Sequence, residues 1–371
     1  MKRGHLLLIL FIMMLTLCGC GEGFFASRRN MEHLRPIQTI SLDRSGEGLV
    51  MGVSSGIGPE DAPPLVMKCE ASGIEAAISR LQSYSPEDEL FYAHVRYILL
   101  GESMGGRSIL PVLDWVERSP AMRMDTEMLL VRGSAADTLT GAAGDTCDIT
   151  QRLASLDREE TARGQHIYTL REIAASLLER GCALCLAVRP ASAENIVFPE
   201  TQASAAVVPV GYAVLREGRE PIYLTAEETL GAELLSGSVN GALAEADDSV
   251  LELFSPGAEV SGLWDENGAP AGLLIRVRLK AGLLEREGET DTASLERALS
   301  SAAEGWIAAA VARAQAAGCD FSDLEGAAAA GSPSHARLDD FAAAFPDLPV
   351  TVTAVCELNR SYDISDQDVL P

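Results

Sequence analysis

The sequence predicts an α+β fold, with mixed, mostly antiparallel sheets and packed helices in two or three domains. Segments of strand length with alternating apolar residues are interleaved with segments of helical period. Most strand-to-strand connections are too short for a crossover helix, which favours hairpins. Composition is that of a globular chain, with 47% hydrophobic and 22% charged residues among 371.

The N-terminus is set apart from this fold. Lys2 and Arg3 precede an apolar run from Leu6 to Leu17, shorter than the roughly 20 residues that a membrane-spanning helix needs. A short apolar run behind basic residues is a secretory signal. It ends in Leu17-Cys18-Gly19-Cys20, the pattern of a bacterial lipobox. Residues 1–19 are therefore expected to be a cleaved signal peptide, and Cys20 to be the lipidated residue. Cys18 fits worse, because bulky Leu17 would precede the modified thiol. A diacyl anchor on Cys20 would hold a folded body outside the membrane.

Next come Ile37–Asp43 and Leu49–Ser54, strands about the turn-rich Arg44–Gly48, and a third strand at Leu65–Glu70. Ile74, Ala77, Ile78 and Leu81 recur at helical spacing. Phe91–Leu100 alternates like a strand, and Ile109, Leu110, Leu113 and Val116 mark a helix. Met128–Arg132 reads as a strand, Leu170–Leu178 as a helix and Cys182–Val188 as a buried strand. The stretch from Pro199 to Ala205 suggests a boundary. The expectation is an N-terminal α+β domain over 20–203 and a C-terminal α+β domain over 204–371, which can itself divide near 248.

Past that point, Val207–Leu215 and Pro221–Leu224 form a hairpin about Glu217-Gly218. Thr225-Ala226-Glu227-Glu228 is a capping box opening a helix. Val250–Phe254, Glu259–Leu263 and Leu273–Leu284 read as a meander. The clearest element is a helix over Ala293–Ala317, with Leu295, Leu299, Ala302, Trp306, Ala310 and Ala314 along one stripe and Gly318 at C′. Val350–Glu357 is a final strand, and the tail after Tyr362 is polar and acidic.

Formal charge is −25, and loss of Lys2 and Arg3 makes the mature chain more negative still. Such a surface repels phosphate backbones, so nucleic acid is excluded as a partner. Cys69, Cys147, Cys182, Cys185, Cys319 and Cys356 remain in the mature chain, and their pairing is not readable from sequence. Cys182-Ala183-Leu184-Cys185 has redox or metal spacing but lies in a strand, where positions three apart face opposite ways.

Gly52-Val53-Ser54-Ser55-Gly56 matches the nucleophile elbow of serine hydrolases by letter. However, Gly58, Pro59, Pro63 and Pro64 leave no room for the helix that the elbow requires. His33, His94, His166 and His335 fall at no metal-ligand spacing. Asp247-Asp248 and Asp339-Asp340 read as solvated pairs. No catalytic, cofactor-binding or metal-binding residue is expected, and the protein reads as a non-enzyme.

Ordered strings then suggest a family. Arg28-Arg29-Asn30-Met31-Glu32-His33-Leu34 precedes Ile37–Asp43. Phe91-Tyr92-Ala93-His94-Val95-Arg96-Tyr97 runs on through Leu99-Leu100 to Gly101-Glu102. Leu113-Asp114-Trp115-Val116-Glu117-Arg118 is followed by Arg123. Downstream stand Gly211-Tyr212-Ala213-Val214, Leu224-Thr225, Glu228-Thr229-Leu230-Gly231, Gln315 and Asp320-Phe321. In this order they resemble the C subunit of bacterial spore germinant receptors, the Ger(x)C lipoprotein family. Gly21 departs from the usual tryptophan, and Ser41 stands where glycine is common.

The resemblance implies a lipid-anchored subunit on the extracytoplasmic face of the spore inner membrane. It would associate with integral-membrane receptor subunits and act in germination. The alternative from another class is a substrate-binding lipoprotein of a membrane transporter, which would carry two doubly wound lobes about a cleft.

Overall fold

The computed structural model describes residues 34–56, 64–86, 88–106, 108–141, 149–190, 207–237, 239–246, 249–286, 291–331 and 341–359. The signal peptide, Cys20, Cys147, the Pro199–Ala205 stretch, the two acidic pairs and the tail after Tyr362 lie outside them. Among the described residues no helix is long and apolar enough to cross a membrane.

The chain opens with β1 (Leu34–Pro36), then the hairpin β2 (Thr39–Ser45) and β3 (Gly48–Ser54), then β4 (Val66–Ala71) and helix α1 (Ile74–Ser83). β5 (Glu89–Phe91) pairs in parallel with β1, whereas β6 (Tyr97–Gly101) pairs in parallel with β2. Between them the expected strand over Phe91–Leu100 is broken by a 3₁₀ turn at Tyr92–His94. The alternation there was local coincidence. The turn carries the chain from one pairing partner to the next, and the Gln38 carbonyl accepts from both Arg96 N (2.8 Å) and Tyr97 N (3.2 Å).

Next come α2 (Leu110–Arg118), β7 (Glu127–Val131), α3 (Ala135–Gly141), α4 (Ile149–Ala162), α5 (Leu170–Arg180) and β8 (Cys182–Pro190). They are followed by the hairpin β9 (Val207–Arg216) and β10 (Arg219–Tyr223). The main sheet runs β10-β9-β8-β7-β6-β2-β3-β4. Its centre, β2-β6-β7-β8, is parallel. Each side is completed by antiparallel strands. β9 and β10 lie beyond residue 203 yet pair onto β8, so this sheet takes strands from both sides of that point.

The period of two sorts the sheet into two faces. Ile98, Leu100, Met128, Leu130 and Cys185 face a core closed by α1, α2 and α5. Tyr97, Leu99, Leu129, Val131 and Cys182 face the other way. That second core includes α3 and α4 and continues without a break into the C-terminal elements. Cys182 and Cys185 thus point to opposite sides, as the strand geometry requires.

The remaining elements are α6 (Ala226–Ser236), β11 (Val239–Ala246), β12 (Ser249–Ser255), β13 (Ala258–Trp264), β14 (Pro270–Arg286), the long helix α7 (Thr292–Ala317), α8 (Leu324–Gly331), α9 (Phe341–Ala344) and β15 (Val350–Asn359). Both expected helix signals hold. Thr225 and Glu228 form a reciprocal capping box at α6, and Gly318 closes α7 in the left-handed conformation, φ 63°.

The expected meander is corrected. β12 and β13 do not pair with each other but run end to end, both antiparallel to the long β14. Pro256-Gly257 makes a bend rather than a reversal, with Gly257 at φ 103°. β11 pairs with β12, and β15 adds to β14 in parallel.

α7 also finishes the outer edge of β15. Glu304 Oε1, Ser300 Oγ and Glu296 Oε1 accept from the amides of Ala354, Cys356 and Leu358, each at 3.0 Å. One helical step of four residues rises about 6 Å, and two strand residues span about 6.6 Å, so the two repeats keep pace. An edge that would otherwise template another strand is closed by side chains.

Candidate functional site

Several described residues of the strings that carry the resemblance form joints between elements, and Arg28–His33 lie outside the described residues. Asp43, the last aspartate of the Ile37–Asp43 string, is buried at the end of β2 and caps α3. Its carboxylate accepts from Ala135 N (3.1 Å), Ala136 N (2.5 Å), Ser134 Oγ (3.2 Å) and Ser103 Oγ (3.2 Å). Gly101, from the Gly-Glu string, lies directly beneath. A Cβ there would fall inside the Asp43 carboxylate. Two strings far apart in sequence therefore meet at one capped helix terminus.

On the other core the helix string behaves similarly. Trp115 Nε1 donates to Glu75 Oε1 at 2.8 Å, tying α2 to α1. Asp114 and Arg118 form an exposed pair along one helix face, and Arg123 pairs with Asp125 beyond the helix end. His94 is exposed on its 3₁₀ turn and meets the Phe91 ring edge-on at 5.5 Å. The strand expected over Phe91–Leu100 is interrupted there, so His94 sits on a turn and not on a sheet face.

The downstream strings line the seam between the main sheet and the C-terminal elements. Gly211 bends β9 at φ 99° so that Thr229 Oγ1 can reach Tyr212 N at 3.3 Å. Glu228 Oε1 accepts from Arg313 Nε of α7 at 2.9 Å. Gly231 lets α6 cross α7 at backbone contact, beside the Trp306 carbonyl. Gln315 Nε2 donates to the carbonyls of Phe345 (2.9 Å) and Leu348 (2.8 Å), fixing the approach to β15. Asp320 Oδ2 accepts from Glu325 N at the start of α8.

Along this seam lies a cavity of about 700 Å³, with Glu160, Arg163, Gln165, Glu233 and Trp306 in its wall. Glu160 and Glu233 are both buried. Burial, and then the neighbouring Glu160 charge, push the Glu233 carboxyl up to about 7. Gln165 Nε2 donates to Glu233 Oε1 at 2.6 Å and opposes this. Glu160 is raised by burial too, against the pull of Arg163. Glu160 occupies a position of the Ile149, Leu153, Leu156 stripe on α4, so a charge on an apolar stripe was the available signal. Thr169 and Glu172 also form a capping box that the T-x-x-E spacing would have found.

These two carboxyls make stability pH-dependent. A carboxyl raised on folding favours the folded state while protonated. For Glu233 that contribution is complete below about pH 4.5 and is lost as pH rises through about 7. Urea unfolding should therefore show stability falling between pH 5 and 8. Glu233→Gln should recover about 2 kcal/mol at pH 8 and none at pH 4.5. Glu127, which burial likewise pushes up to about 7, leaves a residual slope. A variant with the wild-type profile would contradict this assignment.

The other chemistry-bearing residues are apart. Ser54 is fully buried at the end of β3, and its Oγ accepts from Gly56 N at 3.4 Å. Ser55 Oγ is engaged with Gly56 O and Leu65 N. Among the described residues no group of three His, Cys, Asp or Glu side chains is arranged to hold a metal.

Residues 27–189 match the model of the spore germination protein N-terminal domain. The chain carries the N-terminal domain of the spore germination proteins. The family read from the ordered strings is borne out, and this germination domain holds the Asp43–Gly101 joint and both faces of the main sheet through β8. The crystal structure of the GerBC protein has the same fold, with a TM-score of 0.55 at 15% identity, over 86% of this chain and 96% of that chain. The likeness thus extends past the germination domain into the C-terminal elements. No curated protein matches the chain.

Proposed function

We propose that the chain is the C subunit of a nutrient germinant receptor, held by lipid on Cys20 at the outer face of the spore inner membrane. The observation that carries this reading is the germination domain at 27–189 in a chain whose fold follows GerBC over nearly all of that protein. The family residues supply caps and crossings, which is what a protein acting through contact needs. A diacyl anchor at Cys20 raises the local concentration of both cores beside integral-membrane partners, so a weak contact becomes a lasting one. In this role the subunit assembles and stabilises the complex and transmits its signal, with no chemistry of its own. The transporter-lipoprotein alternative calls for two doubly wound lobes, whereas the C-terminal sheet is antiparallel apart from β14–β15.

Deletion of the gene tests this. Sporulation should be intact, germination with particular nutrients should slow, and triggers that bypass receptors should still work. Cys20→Ala should abolish lipid labelling and reproduce part or all of the same defect, whereas Cys18→Ala should keep the label. Normal responses to every nutrient in a strain lacking related receptors would overturn the proposal.

A further inference from the structure

The cavity along the seam is walled from both sides. The end of α4 and the turn after it contribute Glu160, Arg163 and Gln165, and α6 contributes Glu227 and Glu233. β11 adds Glu245, whereas β9, β12 and α7 bring only uncharged residues, among them Val210, Val250 and Trp306. Four carboxyls therefore share the wall with a single guanidinium. At about 700 Å³ the space suits a small molecule better than a lone ion.

Two of those carboxyls lie deep and are incompletely partnered. Glu160 is 1% exposed and Glu233 is 7% exposed, whereas Glu227 and Glu245 are open to solvent. Gln165 joins the deep pair. Its backbone amide donates to the Glu160 carbonyl at 2.9 Å, and its side chain donates to Glu233 Oε1 at 2.6 Å. Glu160 Oε1 accepts only from Arg163 Nη1, at 3.4 Å, and that guanidinium is half exposed. Glu233 has a neutral donor and, among the described residues, no cation. The second oxygen of each carboxyl accepts no hydrogen bond among the described residues. A buried carboxylate is costly until a cation meets it. The Glu233 carboxyl, pushed up to about 7, reports the same want.

We propose that the seam cavity binds a small organic ammonium ion, its charged head paired with Glu233 beside Glu160 and its body against the apolar wall. An ammonium carries three donors and no acceptor, which suits a pocket whose free polar atoms are carboxyl oxygens. An anion would meet four carboxyls. A metal ion fits less well, because among the described residues no three His, Cys, Asp or Glu side chains converge. Glu160 and Gln165 belong to the germination domain, whereas Glu233 and Trp306 belong to the C-terminal elements. The occupant would therefore tie the two across the seam.

The test is calorimetric titration of the full-length protein in detergent with benzylamine and butylamine, each set against its matched alcohol. At least one amine should bind saturably at one site per chain, and the alcohols should not. Glu233→Gln should weaken that binding about 10- to 100-fold, with its unfolding midpoint showing that it is folded. Glu259→Gln, exposed on β13 and outside the cavity, makes the same change of net charge and should leave the affinity as it was. At pH 7 binding should release protons, read as a buffer-dependent heat, because the ammonium draws the Glu233 carboxyl into its charged form. Glu233→Gln should lose most of that release. No saturable binding of either amine up to about 10 mM, equal binding of the alcohols, or full affinity in Glu233→Gln would overturn the proposal. Each of those results would leave the receptor reading untouched, since that reading rests on the family match and not on the cavity.

Discussion

Gly231→Ala should cost about 2–4 kcal/mol of stability. The new Cβ would fall inside contact distance of the Trp306 carbonyl and sit 3.0 Å from Ala310 Cβ. The obstacle is helix backbone, so no rotamer change relieves it, and α6 must lift off α7. That would loosen the Glu228–Arg313 pair and the seam cavity together. Gly305→Ala on the same long helix is the control. Gly305 is exposed with open space around it, and alanine in a helix interior favours stability by roughly 0.5–1 kcal/mol. Chemical unfolding should move in opposite directions for the two variants. Equal effects would show that α6 and α7 are not in backbone contact.

Asp43→Ala should be next in size, at about 3 kcal/mol. It leaves the Ala135 and Ala136 amides buried without their acceptor and removes the acceptor of the Ser103 and Ser134 hydroxyls. An ordinary helix cap is worth about 1 kcal/mol, and the excess here comes from burial and from the charge-assisted bonds. Asp43→Asn keeps the shape and one acceptor oxygen, so it should recover roughly half of the loss. Hydrogen exchange should localise the effect to α3 and the ends of β2 and β6. An Asp43→Ala protein of wild-type stability would contradict the joint.

The places where sequence and structure part company have physical causes. Capping residues and long apolar stripes are local signals, so α6 and α7 were legible with their ends. The alternation of Phe91–Leu100 was equally local, but strand pairing is not. Gln38 and the parallel partners β1 and β2 decide where that strand begins. β12 and β13 looked like neighbours in a meander because a proline and a glycine usually mark a reversal. Their common partner β14 could not be seen from either segment. β11 went unread because Val239–Ala246 is built from small residues with little contrast between faces.

The α4 helix was missed although Ile149, Leu153 and Leu156 carry its stripe, since polar residues dominate the rest. The ordered strings gave the family but not the reason for it. Asp43 and Gly101, and likewise Gly211 and Thr229, are intelligible once the fold brings each pair together.

The most direct measurement is affinity purification of the tagged, lipidated protein from detergent-solubilised spore inner membranes, with its partners identified by mass spectrometry. Recovery of at least one polytopic membrane protein, dependent on an intact C-terminal core and lost with Gly231→Ala, is the result expected of a receptor subunit. Recovery from vegetative cells alone, in complex with a transporter ATPase and its permease, would contradict the account.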